Sequence, residues 1–248
     1  MYPRIFITDN YFISSYSLCI AAAIILAVLV AYGECKRYGL PVLLFPAAAF
    51  WSIFGGIIGA KVFDVVCYNW NNFLDIPLVV LTSPSGWMYY GAEIGGSVGL
   101  VVYLLLHHVE FLRPVDIGGT VLLLAHALGR LGCFLAGCCY GIPTNSWMGI
   151  TFPKGPCPVH PTQLYESIPL AIGFVVLWIF RKRFVIPGTI YASYLIFYNV
   201  LRFMVEFYRE DAYHFGILHF SPSQYIAVVL FSFGVVLLTY LVKHKKTA

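Results

Sequence analysis

Two stretches of an otherwise oily chain hold the residues best suited to chemistry. The first is GRLGCFLAGCCYG (129–141), which follows the apolar run VLLLAHAL without a break. Its Arg130 therefore lies at or near bilayer hydrocarbon depth, where a charge is costly. At helical pitch His126, Arg130, Cys133 and Gly137 fall on one stripe. The second stretch is YNVLRFMVEFYRE, in which Asn199, Arg202, Glu206 and Arg209 share a face at spacings of three and four. An Arg202–Glu206 pair at i, i+4 partly offsets the burial of both charges. Two arginines pointing inward from separate helices form a receptor for an anion such as a phosphate. The guanidinium fork binds phosphate oxygens bidentately and never loses its proton. The competing reading has buried arginines tying helices together through carboxylates or backbone carbonyls. Lys61 in GAKVFD, Glu93 in YYGAEIGG and Glu166 in PTQLYES add further ionisable groups to apolar surroundings, and a buried polar network of that density favours function.

Three cysteines, Cys133, Cys138 and Cys139, crowd the first stretch, and Cys157 follows downstream. Adjacent cysteines fit poorly with the C-x₂-C pattern of zinc sites, so no metal is expected. On an oxidising face, Cys138 or Cys139 is a candidate disulfide partner for Cys157, a bridge that would pin the intervening loop. Connectivity is not readable from spacing. Cys133 reads as a small apolar filler.

The elements that position these groups follow from composition. Of 248 residues 60% are hydrophobic and 10% charged, with a mean hydropathy of +0.82, which excludes a soluble globular domain. Spanning about 30 Å of hydrocarbon takes roughly 20 apolar residues. Stretches of that kind occur near 16–33, 43–66, 87–107, 116–139, 164–181, 186–208 and 223–243. The expectation is an all-α integral membrane protein of about seven transmembrane helices, forming one transmembrane domain over 1–248. The first stretch lacks a basic n-region and a small-residue cleavage site, so it reads as a retained helix. Lys36, Arg37, Arg113, Arg181, Lys182, Arg183, Lys243, Lys245 and Lys246 fall on alternate connections. The positive-inside rule then sets the amino terminus outside and the carboxyl terminus in the cytoplasm. Outer loops are expected at 67–86, 141–163 and 209–224. The net charge of +4 is explained by topology, and no basic-aromatic platform for nucleic acid is present. Glycines in FGGIIGA (54–60) and GAEIGGSVG (91–99) let helices approach closely; close approach of a lipid headgroup is the functional alternative.

Taken together, these stretches resemble the bacterial prolipoprotein diacylglyceryl transferases through most of the chain and in the same order. Gly129, Arg130, Gly132, Phe134 and Gly141 match the family's G-R-x-G-N-F-x-N-x-E-x-x-G signature. HPTQLYE (160–166) is similar to its H-P-S/T-Q-L-Y-E segment, and RFMVEFYRE to its R-F-x-x-E-F-x-R-x-x-D stretch, with Asp211 one position early. Tyr16, Lys61 and Asp116 also occupy family positions, Lys61 standing for an arginine. The chain departs where the family's H-G-G-L-I-G-G becomes YGAEIGG, placing Tyr90 at the histidine and introducing Glu93. Within the signature, Cys133, Ala136 and Cys138 stand for two asparagines and a glutamate.

The resemblance implies transfer of the diacylglyceryl group of phosphatidylglycerol to the lipobox cysteine of a prolipoprotein signal peptide, in the bacterial cytoplasmic (inner) membrane and with no cofactor. It implies that Arg130 and Arg202 stabilise the departing phosphate, that Glu206 orients Arg202, and that Tyr16 and Gln163 hold the headgroup. Lys61, Glu93, Cys133, Gly141, Glu166 and Arg209 complete the substrate-binding set. The proton acceptor stays open among His160, His126, Glu93 and Tyr90. Two alternatives follow from the departures: a phospholipid-dependent transferase with a different acceptor, and a non-catalytic protein that binds or translocates lipid.

Overall fold

The structure, a computed structural model, describes residues 4–8, 11–83, 85–86, 89–153, 155–209 and 220–245, with backbone alone at 4–8, 11–12, 89–90, 93 and 245. It divides into two compact units, one of residues 1–34 and 115–248, the other of residues 35–114.

The first unit opens with a β-hairpin, β1 (Arg4–Thr8) and β2 (Tyr11–Ser14), in antiparallel register with Ile5 opposite Ile13 and Phe6 opposite Phe12. Helix α1 (Ser15–Tyr38) begins here and ends in the second unit. The second unit continues with α2 (Leu44–Cys67), two short helices α3 (Trp70–Asp75) and α4 (Pro77–Thr82), and α5 (Tyr89–Leu106). The chain returns to the first unit through α6 (Leu112–Ala136), then α7 (Thr162–Phe180), α8 (Thr189–Glu206) and α9 (Pro222–Lys245).

Among the described residues, five helices are long and apolar enough to cross a membrane: α1, α2, α6, α7 with its terminal turn to Arg183, and α9. The other two expected spans are helical but weaker candidates. The apolar run of α5 covers only Ile94–Leu106, and α8 carries Asn199, Arg202 and Glu206 in its second half. The first connection expected outside, read as an interfacial segment, is the α3–α4 pair, with Trp70, Leu74, Leu78 and Val79 exposed. Of the third, residues 210–219 lie outside the described residues.

In the first unit, Leu123 and Ala127 of α6, Leu170 of α7, and Tyr194, Leu195 and Tyr198 of α8 form a buried core. Ser167 Oγ donates to the Ala127 carbonyl at 2.8 Å, tying α7 to α6. Asp116, fully buried, accepts from the Gly188 and Tyr191 amides at 2.7 and 3.0 Å. A carboxylate from α6 thus caps the amino end of α8, where free N–H groups and the helix dipole favour negative charge.

In the second unit, α2 and α5 meet through glycine. A methyl group on Gly55, Gly59, Gly91 or Gly95 would collide with a backbone carbonyl of the facing helix. Both glycine runs therefore serve helix packing.

Candidate functional site

The amino end of α7 is the centre of the site. The two arginines do converge, and what they share is a carboxylate. Arg130 Nε donates to Glu166 Oε2 at 2.7 Å, and Arg202 Nη1 donates to Glu166 Oε1 at 2.8 Å. Glu166 is 1% exposed, so this one carboxylate neutralises half of the positive charge that α6 and α8 bring inward. Arg202 also pairs through Nη2 with Glu206 Oε2 at 2.6 Å and donates to Ser223 Oγ at 3.2 Å. Glu206 accepts from Ser221 Oγ at 2.7 Å and lies 3.9 Å from Arg209 Nε. Among the described residues, three guanidiniums, those of Arg130, Arg202 and Arg209, thus gather around two carboxylates, those of Glu166 and Glu206. Arg130 uses only Nε on a protein acceptor among the described residues, and its side chain is 22% exposed. Among the described residues, its two terminal nitrogens are the half of the fork with no protein acceptor.

The geometry at the end of α6 follows from Gly137. With φ of 74° it takes the left-handed conformation that closes a helix. The Gly137 amide reaches the Phe134 carbonyl at 3.1 Å and the Cys138 amide reaches the Cys133 carbonyl at 3.2 Å, the paired bonds of a Schellman cap. That cap folds Cys138 back over Cys133, and Cys139, itself at φ 63°, turns in beside them. The sulfur atoms of Cys133, Cys138 and Cys139 all lie within 4.8 Å of one another. Those of Cys138 and Cys139 are 3.4 Å apart. The two loop residues are pinned from α7: Thr162 Oγ1 donates to the Cys139 carbonyl at 3.0 Å and Gln163 Nε2 to the Cys138 carbonyl at 2.6 Å.

Beyond the helix end the thiols differ in acidity. Hydrogen bonding from Cys133 above all, then from Cys138, with Arg130 and Arg209 nearby, holds the Cys139 thiol down to about 5 against the opposing effect of burial. Cys138 is pushed up by burial and by its hydrogen bond to Cys139. The seven cysteines are unbridged in the structure, and the Schellman cap turns Cys138 back over Cys133; a bridge from Cys138 or Cys139 to Cys157 stays an expectation of the sequence.

Other expected site residues divide between this cluster and structural duties. Tyr16 lies beside it, and a side chain on Gly132 would press on Cys19 and Tyr16, so that glycine lets α1 approach α6. Gly141 is required where the loop runs against the end of α8: its amide bonds the His160 carbonyl at 2.8 Å, and any Cβ would strike the Tyr208 carbonyl. His160 Nδ1 lies 2.9 Å from the Tyr165 hydroxyl and its ring packs on Tyr208. His126 packs on Tyr198 with ring centroids 5.1 Å apart. Lys61 belongs to the second unit, where its ammonium donates to the Ser83 and Ser85 carbonyls at 2.8 and 2.7 Å and to Val80 at 3.3 Å. Tyr90 and Glu93 are on α5, and their side chains lie outside the described residues.

Sequence reading missed Thr162, Ser221 and Ser223. All three stand at the amino ends of α7 and α9, and serine or threonine before an apolar helix is a signal it could have used.

A family model for prolipoprotein diacylglyceryl transferase matches residues 3–240. Among curated proteins, a phosphatidylglycerol–prolipoprotein diacylglyceryl transferase of Clostridium tetani is 33% identical over 95% of this chain and 96% of its own length. One of Clostridium perfringens, numbered 2, is 33% identical over 91% of this chain and 90% of its own. One of Chlorobaculum tepidum is 31% identical over 97% and 90%. A match of that extent, on a helical membrane protein with the signature arginine and the HPTQLYE segment meeting at one buried glutamate, means that this chain belongs to the prolipoprotein diacylglyceryl transferase family.

Proposed function

We propose that this multi-pass membrane transferase moves the diacylglyceryl group of phosphatidylglycerol to the cysteine thiol of a prolipoprotein signal peptide. The setting is the bacterial cytoplasmic membrane, with seven transmembrane helices and the amino terminus outside. The observation that carries the reading is the pairing of Arg130 and Arg202 on Glu166 at 2.7 and 2.8 Å. It gathers cationic charge from two helices and leaves the terminal nitrogens of Arg130 for a phosphodiester.

The chemistry to be assisted is a thiolate attack on a glycerol carbon. The new S–C bond forms as the C–O bond to phosphate breaks, and the electron pair leaves on the phosphate oxygen as glycerol phosphate. Charge on that oxygen grows toward the transition state, so a fixed guanidinium in poorly hydrated surroundings accelerates the step more than it tightens ground-state binding. In this scheme Glu166 and Glu206 are positioning residues: they fix the planes of Arg202 and Arg130 before lipid arrives. Tyr16 and Gln163 border the same space.

The test is the purified protein in detergent with labelled phosphatidylglycerol and a lipobox peptide. A diacylglyceryl mass gain on the peptide cysteine is expected, and Arg130→Ala and Arg202→Ala should each abolish it. Undiminished turnover in either variant removes the leaving-group role. Glycerol phosphate released without peptide modification would replace the acceptor. Tight lipid binding without any turnover would leave a lipid-binding or lipid-translocating protein.

A further inference from the structure

The three sulfurs at the end of α6 are gathered by backbone geometry and not by chance of rotamer. The Schellman cap at Gly137 superposes Cys138 on Cys133, left-handed Cys139 closes the group, and two side chains of α7 hold the carbonyls of the adjacent pair. A thiolate ligand stands about 2.3 Å from a zinc-sized ion, which separates neighbouring ligand sulfurs by roughly 3.8 Å in a tetrahedral site. The observed group, with all three sulfurs inside 4.8 Å and one pair at 3.4 Å, needs only side-chain rotation to meet that figure. Adjacent cysteines, which argued against the usual zinc spacing in sequence, are accommodated because a helix end and not a C-x₂-C turn brings the third ligand in. Three thiolates on a divalent ion carry one net negative charge, and Arg130 and Arg209 both act electrostatically on Cys139. Cys138 and Cys139 are exposed, so one side of the group is open to an incoming ligand.

We propose that Cys133, Cys138 and Cys139 bind one thiophilic d¹⁰ cation of the zinc class, and that its fourth position receives the acceptor thiol as a thiolate. The ion site stands by itself; the thiol-binding half rests on the transferase reading above. Softness of the ligands selects such ions over magnesium or calcium. Loading displaces the thiol protons to solvent. The acceptor thiol loses its proton to solvent on coordination, because a bound cation lowers the pKa of its ligands at neutral pH. The coordinated sulfur then attacks the glycerol carbon, the C–O bond breaks toward the phosphate held by Arg130, and the thioether product, a weaker ligand, leaves the ion unchanged. In this chain the ion takes the place of a general base.

The experiment uses the whole chain in detergent, reduced with a non-chelating phosphine and titrated with Co(II), then Zn(II) and Cd(II). One ion per chain is expected, with sulfur-to-cobalt charge-transfer absorption. Cys138→Ser and Cys139→Ser should each weaken binding by more than about tenfold, whereas Cys157→Ser should leave it unchanged. A lipobox peptide should intensify the charge-transfer band, and its cysteine-to-serine form should not. Because a variant can fail to fold, a measurement on unaltered protein accompanies these: Zn(II) should protect Cys133, Cys138 and Cys139, but not Cys67 or Cys157, from alkylation read by mass spectrometry. No binding above that of the serine variants, or equal labelling with and without ion, overturns the site. A peptide that leaves the spectrum unchanged, or peptide modification untouched by chelation, overturns the thiol-binding half while the transferase reading stands. Ion binding with an unmodified peptide under all conditions keeps the site and removes the transferase reading.

Discussion

Helices α2 and α5 meet backbone to backbone, whereas α6, α7 and α8 meet through charged side chains. In the first pair four glycines bring carbonyls so close that no Cβ fits between them, and the association rests on dispersion between surfaces of one shape. In the second group a single buried glutamate joins arginines from its two neighbours, and a second carboxylate, Glu206, fixes the plane of one of them. A glycine seam has no chemistry to offer, while an ionic junction costs desolvation and is stable only while complete. The difference teaches where function is to be sought: in the unit whose packing depends on groups that also bind anions.

Removing the centre of the ionic junction should have the largest effect. Glu166→Gln keeps the shape but leaves two arginines facing a neutral amide. Breaking a buried pair typically costs about 3–5 kcal/mol, so a large fall in the melting temperature in detergent is expected, together with loss of turnover. A melting temperature within a degree or so of the unaltered protein would mean that solvent already screens the junction. The next effect concerns rate more than stability. Arg130→Lys keeps the charge and loses the planar fork; turnover should fall by about 10²–10³-fold while the protein melts within about 1 kcal/mol of the original. Equal loss of both would make Arg130 a helix tether.

The glycine seam should respond in the opposite sense. Gly95→Ala sets a methyl group against the Gly55 carbonyl, and overpacking of this kind costs typically about 1–3 kcal/mol. Separation of α2 from α5, read as faster proteolysis between residues 68 and 88, is the expected consequence. Unchanged stability would mean the seam is loose enough to widen.

Much of this was legible in sequence. Hydropathy located the seven long helices seen among the described residues, five of them apolar enough to cross a membrane, because a lipid-facing helix must be apolar over most of its surface. Helical spacing found the Arg202–Glu206 pair, a contact within one helix. Glu166 as a shared partner was not legible: that link depends on how α7 sits between α6 and α8. The cysteine cluster escaped for a related reason. Cys133 and Cys138 look too far apart on a straight helix, and only the left-handed turn at Gly137 returns one to the other. The amino-terminal hairpin was overlooked although RIFIT and YFIS flank an Asp-Asn pair, an ordinary turn signal.

The smallest effect concerns two buried charges that sequence reading could not sort from those of the site. In the first unit Asp116 accepts from the opening amides of α8, and in the second Lys61 donates to carbonyls at and beyond the end of α4. Each opposes the partial charge of a helix terminus, and neither needs a substrate to explain it. Asp116→Asn keeps one acceptor oxygen and turns an amide toward the second N–H, so a loss of about 1 kcal/mol is expected, in the range of other cap deletions. Lys61→Met removes a donor shared by three carbonyls near the exposed α3–α4 segment, where water can take its place. A loss of about 1 kcal/mol or less is expected there, together with faster amide exchange near residues 80–85. Lys61→Arg should restore protection if holding carbonyls is its whole duty. Should Lys61→Met instead leave exchange unaltered and raise the KM for phosphatidylglycerol, Lys61 would belong with Arg130, and the division between a packing unit and a chemical unit would fail at that residue.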